Sequence, residues 1–146
     1  MSRGDREAFL HEARVGVLGV TDGRGDRAPL LVPVWYSYEP GGDVLVQTGR
    51  SSLKAKLIRE SGRFSLCAQH ETPPYRYVSV EGPVVAVDDP LDAADFEALA
   101  RRYLDPTTAE KYLAANRAQL AEDVAFRMRP QHWRTADFAA FAENFG

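Results

Sequence analysis

The sequence predicts a mainly β domain, an antiparallel sheet or barrel with helices at its ends. Three observations carry that expectation. Side chains alternate apolar and polar, or fall on two distinct faces, over 30–38 and 76–86, the period of a pleated strand. The turn clusters DGRGD (22–26) and PGGD (40–43) separate the early strand-like runs by too few residues for parallel crossovers, which need a dozen or more. Phe96, Leu99, Ala100, Tyr103 and Leu104 recur at i, i+3, i+4, i+7 and i+8, an apolar stripe down one face of a helix.

The elements follow in order. Residues 5–13 read as a short opening helix with Phe9 and Leu10 apolar, and VGVLGVT (15–21) reads as a strand. From Leu30 to Tyr38 one face would carry Leu30, Val32, Val34, Tyr36 and Tyr38. The other would carry Leu31, Pro33, Trp35 and Ser37. Both faces are partly apolar, which predicts a strand covered on both sides. PGGD closes a hairpin onto VLVQT, and Leu53, Leu57 and Ile58 then recur at helical spacing over 52–60. RFSLCAQ and YRYVSVEGPVVAVD supply two more strands. The second would place Val78, Val80, Val84 and Ala86 on one face and Tyr77, Ser79 and Glu81 on the other. A second helix is expected over 107–121 and a last strand near DVAFRMRP, before a tail with aromatic residues at 133, 138, 141 and 145.

Composition narrows the function. The 146 residues suit one domain, 1–146, and 45% hydrophobic with 27% charged residues is ordinary globular composition. A net charge of −3 argues against a nucleic-acid binder, whose footprint is basic. No run of about 18 apolar residues marks a membrane span, and MSRGDREAFLHEAR lacks a signal-peptide core, so the cytoplasm is the expected compartment. Cys67 is the single cysteine, which excludes an intrachain disulfide; inside an apolar run it reads as an inert buried thiol. His11, His70 and His132 are scattered without ligand spacing, so no metal site is expected.

Charge is unevenly spread. Residues 50–63 hold Arg50, Lys54, Lys56, Arg59 and Arg63 against Glu60, whereas 88–97 hold Asp88, Asp89, Asp92, Asp95 and Glu97 without a base. In TGRSSLK (48–54) a helix opening at Ser51 or Ser52 exposes unpaired N–H groups at the positive end of its dipole, where an anion binds well. Thr48, Ser51 and Ser52 add neutral donors, Gly49 allows close backbone approach, and Arg50 and Lys54 supply charge. A plain serine N-cap with solvated lysines explains the same residues. Trp35, with Pro33 on the same face, suits either a flat ring system, a subunit interface or core packing. Asp88 and Asp89 read as solvated turn carboxylates. No nucleophile–base constellation is present and no catalytic side chain is assigned, so any difficult chemistry would fall to a bound cofactor.

The stretch PLLVPVWYSYEPGGDVLVQTGRSSLKAKLIRESGRFSLCAQ followed by YRYVSVEGPV resembles the pyridoxamine 5′-phosphate oxidase-like superfamily of flavin and deazaflavin oxidoreductases. The resemblance rests on three motifs in order: the strand ending PVWY, the T-x(3)-S-x-K turn of Thr48, Ser52 and Lys54, and the R-x-V-x-V-x-G strand from Arg76 to Gly82. It covers most of residues 8–88 and, more loosely, the tail around Trp133. It implies an FMN-binding-like split β-barrel, homodimeric, with the cofactor at the subunit interface. Pro33, Val34 and Trp35 would lie along the ring system; Thr48, Gly49, Arg50, Ser51, Ser52 and Lys54 would hold the phosphate; Tyr77, Ser79 and Trp133 would approach from the neighbouring strand and the tail.

Two departures bear on the subgroup. The superfamily's vitamin B6 oxidases carry an arginine where ungapped alignment puts Val32, and their C-terminal R-x-H motif is absent from MRPQHWRTADF. The PVWY strand and short chain look more like the branch using coenzyme F420, with hydride passing to a small unsaturated acceptor. FMN is the alternative cofactor. Haem binding, with His11 and His70 as axial ligands, and a non-catalytic cofactor-binding module are the further readings.

Overall fold

A computed structural model describes residues 1–139; the tail aromatics Phe141 and Phe145 lie outside the described residues. The chain runs α1 (Arg3–His11), β1 (Gly16–Val20), β2 (Leu30–Val34), β3 (Tyr36–Tyr38), β4 (Val44–Gly49), α2 (Leu53–Ser61), β5 (Arg63–His70), β6 (Arg76–Asp88), α3 (Ala93–Tyr103), α4 (Pro106–Asn116), a 3-10 segment (Arg117–Glu122), β7 (Asp123–Met128) and β8 (His132–Asp137). All strand pairs are antiparallel, in the order β2-β1-β5-β6-β7-β4-β3, with β8 also on β6. The curled antiparallel sheet with its helices is a split β-barrel of the β+α class, as the sequence implies.

The 13-residue β6 joins the two halves. Its first part pairs with β5 and β8, and its second with β7. Between them the backbone makes a close approach at Gly82, where a Cβ would fall inside the Arg129 carbonyl. Just beyond, the register shifts between Val84 and Ala86. This bulge corrects the expected alternation: Val78 and Val80 face the core, but Val85, Ala86 and Val87 are all exposed. An extra residue on one strand turns the following side chains over.

The expected strand over 30–38 is broken at Trp35. The chain changes partners there, since β2 pairs with β1 while β3 pairs with β4. Pro33 has no N–H to give a ladder, and the Tyr36 N–H left outside it donates to the Tyr103 hydroxyl at 3.1 Å. That hydroxyl in turn donates to the Arg14 carbonyl at 2.6 Å. Helix α3 is thus tied to the break by one side chain, which satisfies a backbone group that the sheet cannot.

Helix ends follow local capping chemistry. Ser2 and Asp5 form a capping box, starting α1 two residues earlier than expected. Ser52 caps α2 and Gly62, at φ 71°, ends it. Asp92 caps α3, and Asp105 with Pro106 opens α4. The expected helix over 107–121 is therefore α4 followed by the 3-10 segment. Strand β8 was not expected, because HWRTAD is too polar to announce a strand; pairing with β6 creates it.

The main core fills the barrel with Leu18, Tyr36, Tyr38, Leu57, Leu66, Val78, Val80 and Phe126 among others. A second cluster, Leu45, Leu91, Phe96, Ala100, Leu113 and Ala125, seats α3 and α4 on the outer side of β4 and β7. No described helix is long and apolar enough to cross a membrane.

The contact at Gly82 gives a direct test. Gly82→Ala must push β6 away from the Arg129 backbone and is expected to lose about 3 kcal/mol, the range of overpacked sites. The measurement is denaturant unfolding, read as a fall in midpoint at unchanged slope; an unaltered midpoint would show that this close approach is dispensable.

Candidate functional site

The turn between β4 and α2 shows how a cap and an anion cradle can share residues. Ser52 Oγ accepts from the Ala55 N–H at 3.1 Å, the N-cap that the bland reading requires. The same oxygen lies 2.9 Å from Thr48 Oγ1. One of these two hydroxyl protons is used between them, which leaves the other free for a ligand. Ser51 is exposed. Gly49 has open space beside it, with Asp123 Oδ1 at 4.0 Å the only atom a Cβ would meet, so no backbone approach obliges a glycine there.

Arg50 does not enter the cradle. Its Nε donates to Asp89 at 2.9 Å, its Nη2 reaches the same carboxylate, and Nη2 also donates to the Ala121 carbonyl at 2.8 Å. Arg59 lies 3.6 Å from Asp89 and donates to the Arg50 carbonyl at 3.1 Å. These hydrogen bonds hold the Asp89 carboxyl below its ordinary range. Asp88 likewise pairs with Arg127 at 3.2 Å, and Asp95 does so at 2.7 Å. The carboxylates read as solvated are therefore tied down, and Asp89 of the acidic segment engages Arg50 and Arg59 of the basic one.

Lys54 is the half-buried cation of this run without a carboxylate partner among the described residues. With an amine that burial alone pushes below its ordinary pKa, it lines a cavity of about 250 Å³ with Pro33, Val34, Trp35 and Thr48. The structure thus brings together five of the residues singled out in the sequence. Gln47, Phe96, Leu99, Tyr112 and Asp123 complete the walls; sequence reasoning missed the last four because they come from distant elements, and Gln47, beside Thr48 on β4, because a neutral amide in a strand carries no signal of its own. The one available signal was the helical stripe holding Phe96 and Leu99. Gln47 is fixed by donating to the Asp95 carbonyl at 3.1 Å. Asp123 is pushed above the ordinary carboxyl range by burial and then by neighbouring Glu122, with Arg50 opposing. Burial and the Asp123 charge also raise the Tyr112 phenol.

Trp35 is part of this wall in a specific way. Its indole stacks on Tyr103 at 5.0 Å with a 7° tilt, and Tyr112 leans on it at 5.5 Å and 49°. Offset aromatic contacts of this kind add to the burial term and hold the ring. Trp35 is therefore an edge of the cavity held by α3 and α4.

Tyr77 and Ser79 lie elsewhere on the sheet. Register pairing places Pro33, Val17, Cys67, Ser79 and Arg134 in one row across β2, β1, β5, β6 and β8. On that outer face a second cavity, of about 530 Å³, is lined by Val15, Val17, Leu31, Pro33, Cys67 and Ser79, with other residues. Pro33 borders both cavities. The face is apolar and exposed, with Leu31 69% and Val15 57% accessible. Burial raises the Cys67 thiol, which disfavours the reactive thiolate. Trp133 points to the opposite side of β8, edge-on to Tyr38 at 6.2 Å and beneath the Arg6 guanidinium at 4.5 Å, and does not meet either cavity within one chain.

The histidines named for haem make backbone contacts. His11 Nδ1 lies 2.8 Å from the Tyr38 carbonyl and His70 Nδ1 2.7 Å from the Thr72 carbonyl. Among the described residues no group of three His, Cys, Asp or Glu side chains could hold a metal ion.

A phosphate fits the smaller cavity at its Thr48–Lys54 end, where a hydroxyl proton and a half-buried amine face no bonded acceptor. A flat ring fits along Pro33 and Val34, which supply apolar surface without competing donors.

Comparison with known proteins extends this picture. No curated protein matches the chain. Solved structures do: an F420 reductase (TM-score 0.70, 21% identity, covering 88% of this chain and 94% of that one); a conserved hypothetical protein from Mycobacterium tuberculosis (0.74, 23%, 97% and 88%); and a FAD-binding protein from Mesorhizobium loti (0.62, 19%, 92% and 92%). At these identities the likeness concerns the fold. The family model described as pyridoxamine 5′-phosphate oxidase matches residues 2–135, nearly the whole of the described chain, and the protein belongs to that family.

Proposed function

We propose that the protein is an oxidoreductase that binds coenzyme F420 and delivers hydride to a small unsaturated acceptor. The observation that carries this reading is the cavity where Lys54, with no carboxylate partner among the described residues, and Thr48 share walls with Pro33, Val34 and Trp35. Likeness to an F420 reductase supports the choice of coenzyme. Likeness to a FAD-binding protein supports a flavin as the second reading, with FMN as its candidate.

The bound deazaflavin would supply the hydride from its C5. The chain's own residues bind, orient and exclude water. Lys54 and a hydroxyl of the Thr48–Ser52 pair would hold the phosphate. Pro33 and Val34 would set the plane of the ring, and orientation of this kind is the protein's main contribution to hydride transfer. The Trp35–Tyr103–Tyr112 stack closes the cavity on the α3–α4 side and keeps water out.

The same proposal includes a homodimer. A cavity of about 250 Å³ is small for a whole tricyclic cofactor with its tail. The outer face beyond Pro33 continues it as an apolar surface with Leu31, Val15 and Val17 exposed, the kind of patch a monomer rarely leaves open. A second copy covering that face would complete the ring site and bring Tyr77 and Ser79 to the interface. Trp133, outside both cavities within one chain, would contribute from the partner.

Five outcomes check the reading. In titrations with oxidised and reduced F420 followed by absorbance, Lys54→Ala is expected to weaken binding by about ten- to hundredfold, the worth of a hydrogen bond to a charged group, with the melting temperature unchanged. Arg50→Ala is expected to do the reverse, lowering the melting temperature while leaving affinity nearly intact, because Arg50 binds Asp89. Equal loss of affinity in both variants would return Arg50 to the phosphate site, and unchanged affinity in Lys54→Ala would place the phosphate elsewhere. Leu31→Arg is expected to convert a dimer to a monomer in light scattering; a wild-type monomer would remove the composite site. Turnover across an acceptor panel separates an enzyme from a cofactor-sequestering module, and FMN released from purified protein on denaturation would favour the flavin.

A further inference from the structure

The cavity beside β4 holds two opposite charges that do not pair with each other. Lys54 sits on one wall and Asp123 on another, and no ion pair joins them within 4.0 Å among the described residues. Arg50, the next guanidinium, is bound by Asp89 and the Ala121 carbonyl. Asp123 stands opposite Gly49 in the β4–β7 ladder; with no side chain at Gly49 the carboxylate is open toward the turn, and Arg50 offsets only part of its charge. Glu122, the residue before it, adds to the negative field at Asp123.

A phosphate entering at Thr48 and Lys54 thus gains one cation and approaches one carboxylate. The charge on the phosphate decides the balance. A monoester carries close to two negative charges at neutral pH, its second pKa being about 6, whereas a diester carries one. The second charge gains from Lys54 but is opposed by Asp123, and its dehydration is costly. Removing Asp123 would leave Lys54 unopposed, with room for a dianion.

We propose that Asp123 is a specificity-determining residue that makes this site select singly charged phosphodiesters over doubly charged phosphomonoesters. The selection rests on the reading above, that this cavity takes the cofactor phosphate. It favours the deazaflavin, whose phosphate is a diester, over FMN, whose phosphate is a monoester.

A set of flavins tests it without catalysis: riboflavin, FMN and riboflavin 4′,5′-cyclic phosphate share one ring and carry no phosphate, a monoester and a diester, and the ratio of variant to wild-type affinity for each ligand isolates the effect of charge. Dissociation constants are measured by flavin fluorescence at fixed ionic strength and neutral pH for the wild type, Asp123→Asn and Lys54→Ala. The wild type is expected to bind the cyclic diester more tightly than FMN. Asp123→Asn should tighten FMN by about tenfold and the cyclic diester by about threefold, one increment per ligand charge at a partly solvated site, and leave riboflavin unchanged. Where the wild type binds only the diester, Asp123→Asn must bring FMN binding into range. Equal factors for the two phosphates, or none, overturn the selection while Lys54→Ala still weakens both. Indifference of both phosphates to Lys54→Ala, or binding of no flavin and no F420, overturns the cofactor-phosphate reading itself and the selection with it.

Discussion

The fold depends on one strand being able to serve two half-sheets, and that requires β6 to press its backbone against Arg129 at Gly82. Upstream of this point β6 is bonded to β5 and β8, and downstream to β7. The Arg129 N–H donates to the Pro83 carbonyl at 2.9 Å and the Gln131 N–H to the Glu81 carbonyl at 2.9 Å. The chain leaving β7 is therefore stitched to β6 on both sides of the glycine before it turns into β8. Any side chain at 82 would separate these bonds, and without them the curl that encloses the main core would open.

Charge pairing does for the surface what β6 does for the backbone. Asp89 is the joint between the β4–α2 turn and the end of β6, because Arg50 and Arg59 both reach it. Exposed ion pairs contribute little individually, but this one decides which cations are left for a ligand. The basic run in the sequence has five positive residues, and the partly buried one without a carboxylate partner is Lys54. The chemistry of the cradle is thus set by what its neighbours have already consumed.

Elements whose cause is local were legible in the sequence. The alternation in β5 and early β6, the PGGD hairpin, the Ser52 cap and the α3 stripe all depend on residues within a few positions. Pro33, Val34, Trp35, Thr48 and Lys54, chosen from two separate motifs, line one cavity. What was hidden depends on distant partners. The break at Trp35 needs the Tyr103 hydroxyl, 67 residues away, to accept the freed Tyr36 N–H. The capture of Arg50 needs Asp89, 39 residues on. β8 needs a prior edge on β6, and the bulge after Val84 is dictated by β7. Asp123 looked like an ordinary strand start because nothing near it in sequence says that it faces Lys54's cavity.

The α3–α4 hairpin rests on its own small core, meeting the sheet through Leu45 and Ala125 while the barrel interior is filled from the other side of the same strands. The load of the barrel and the shape of the pocket are therefore carried largely by different residues, with Val34 common to both. Helices of another length or lining could replace these two, provided something still caps the Tyr36 N–H, without disturbing the barrel. A scaffold divided in this way lets natural variation or directed evolution reshape the opening beside Trp35 while most of the stability lies beyond its reach.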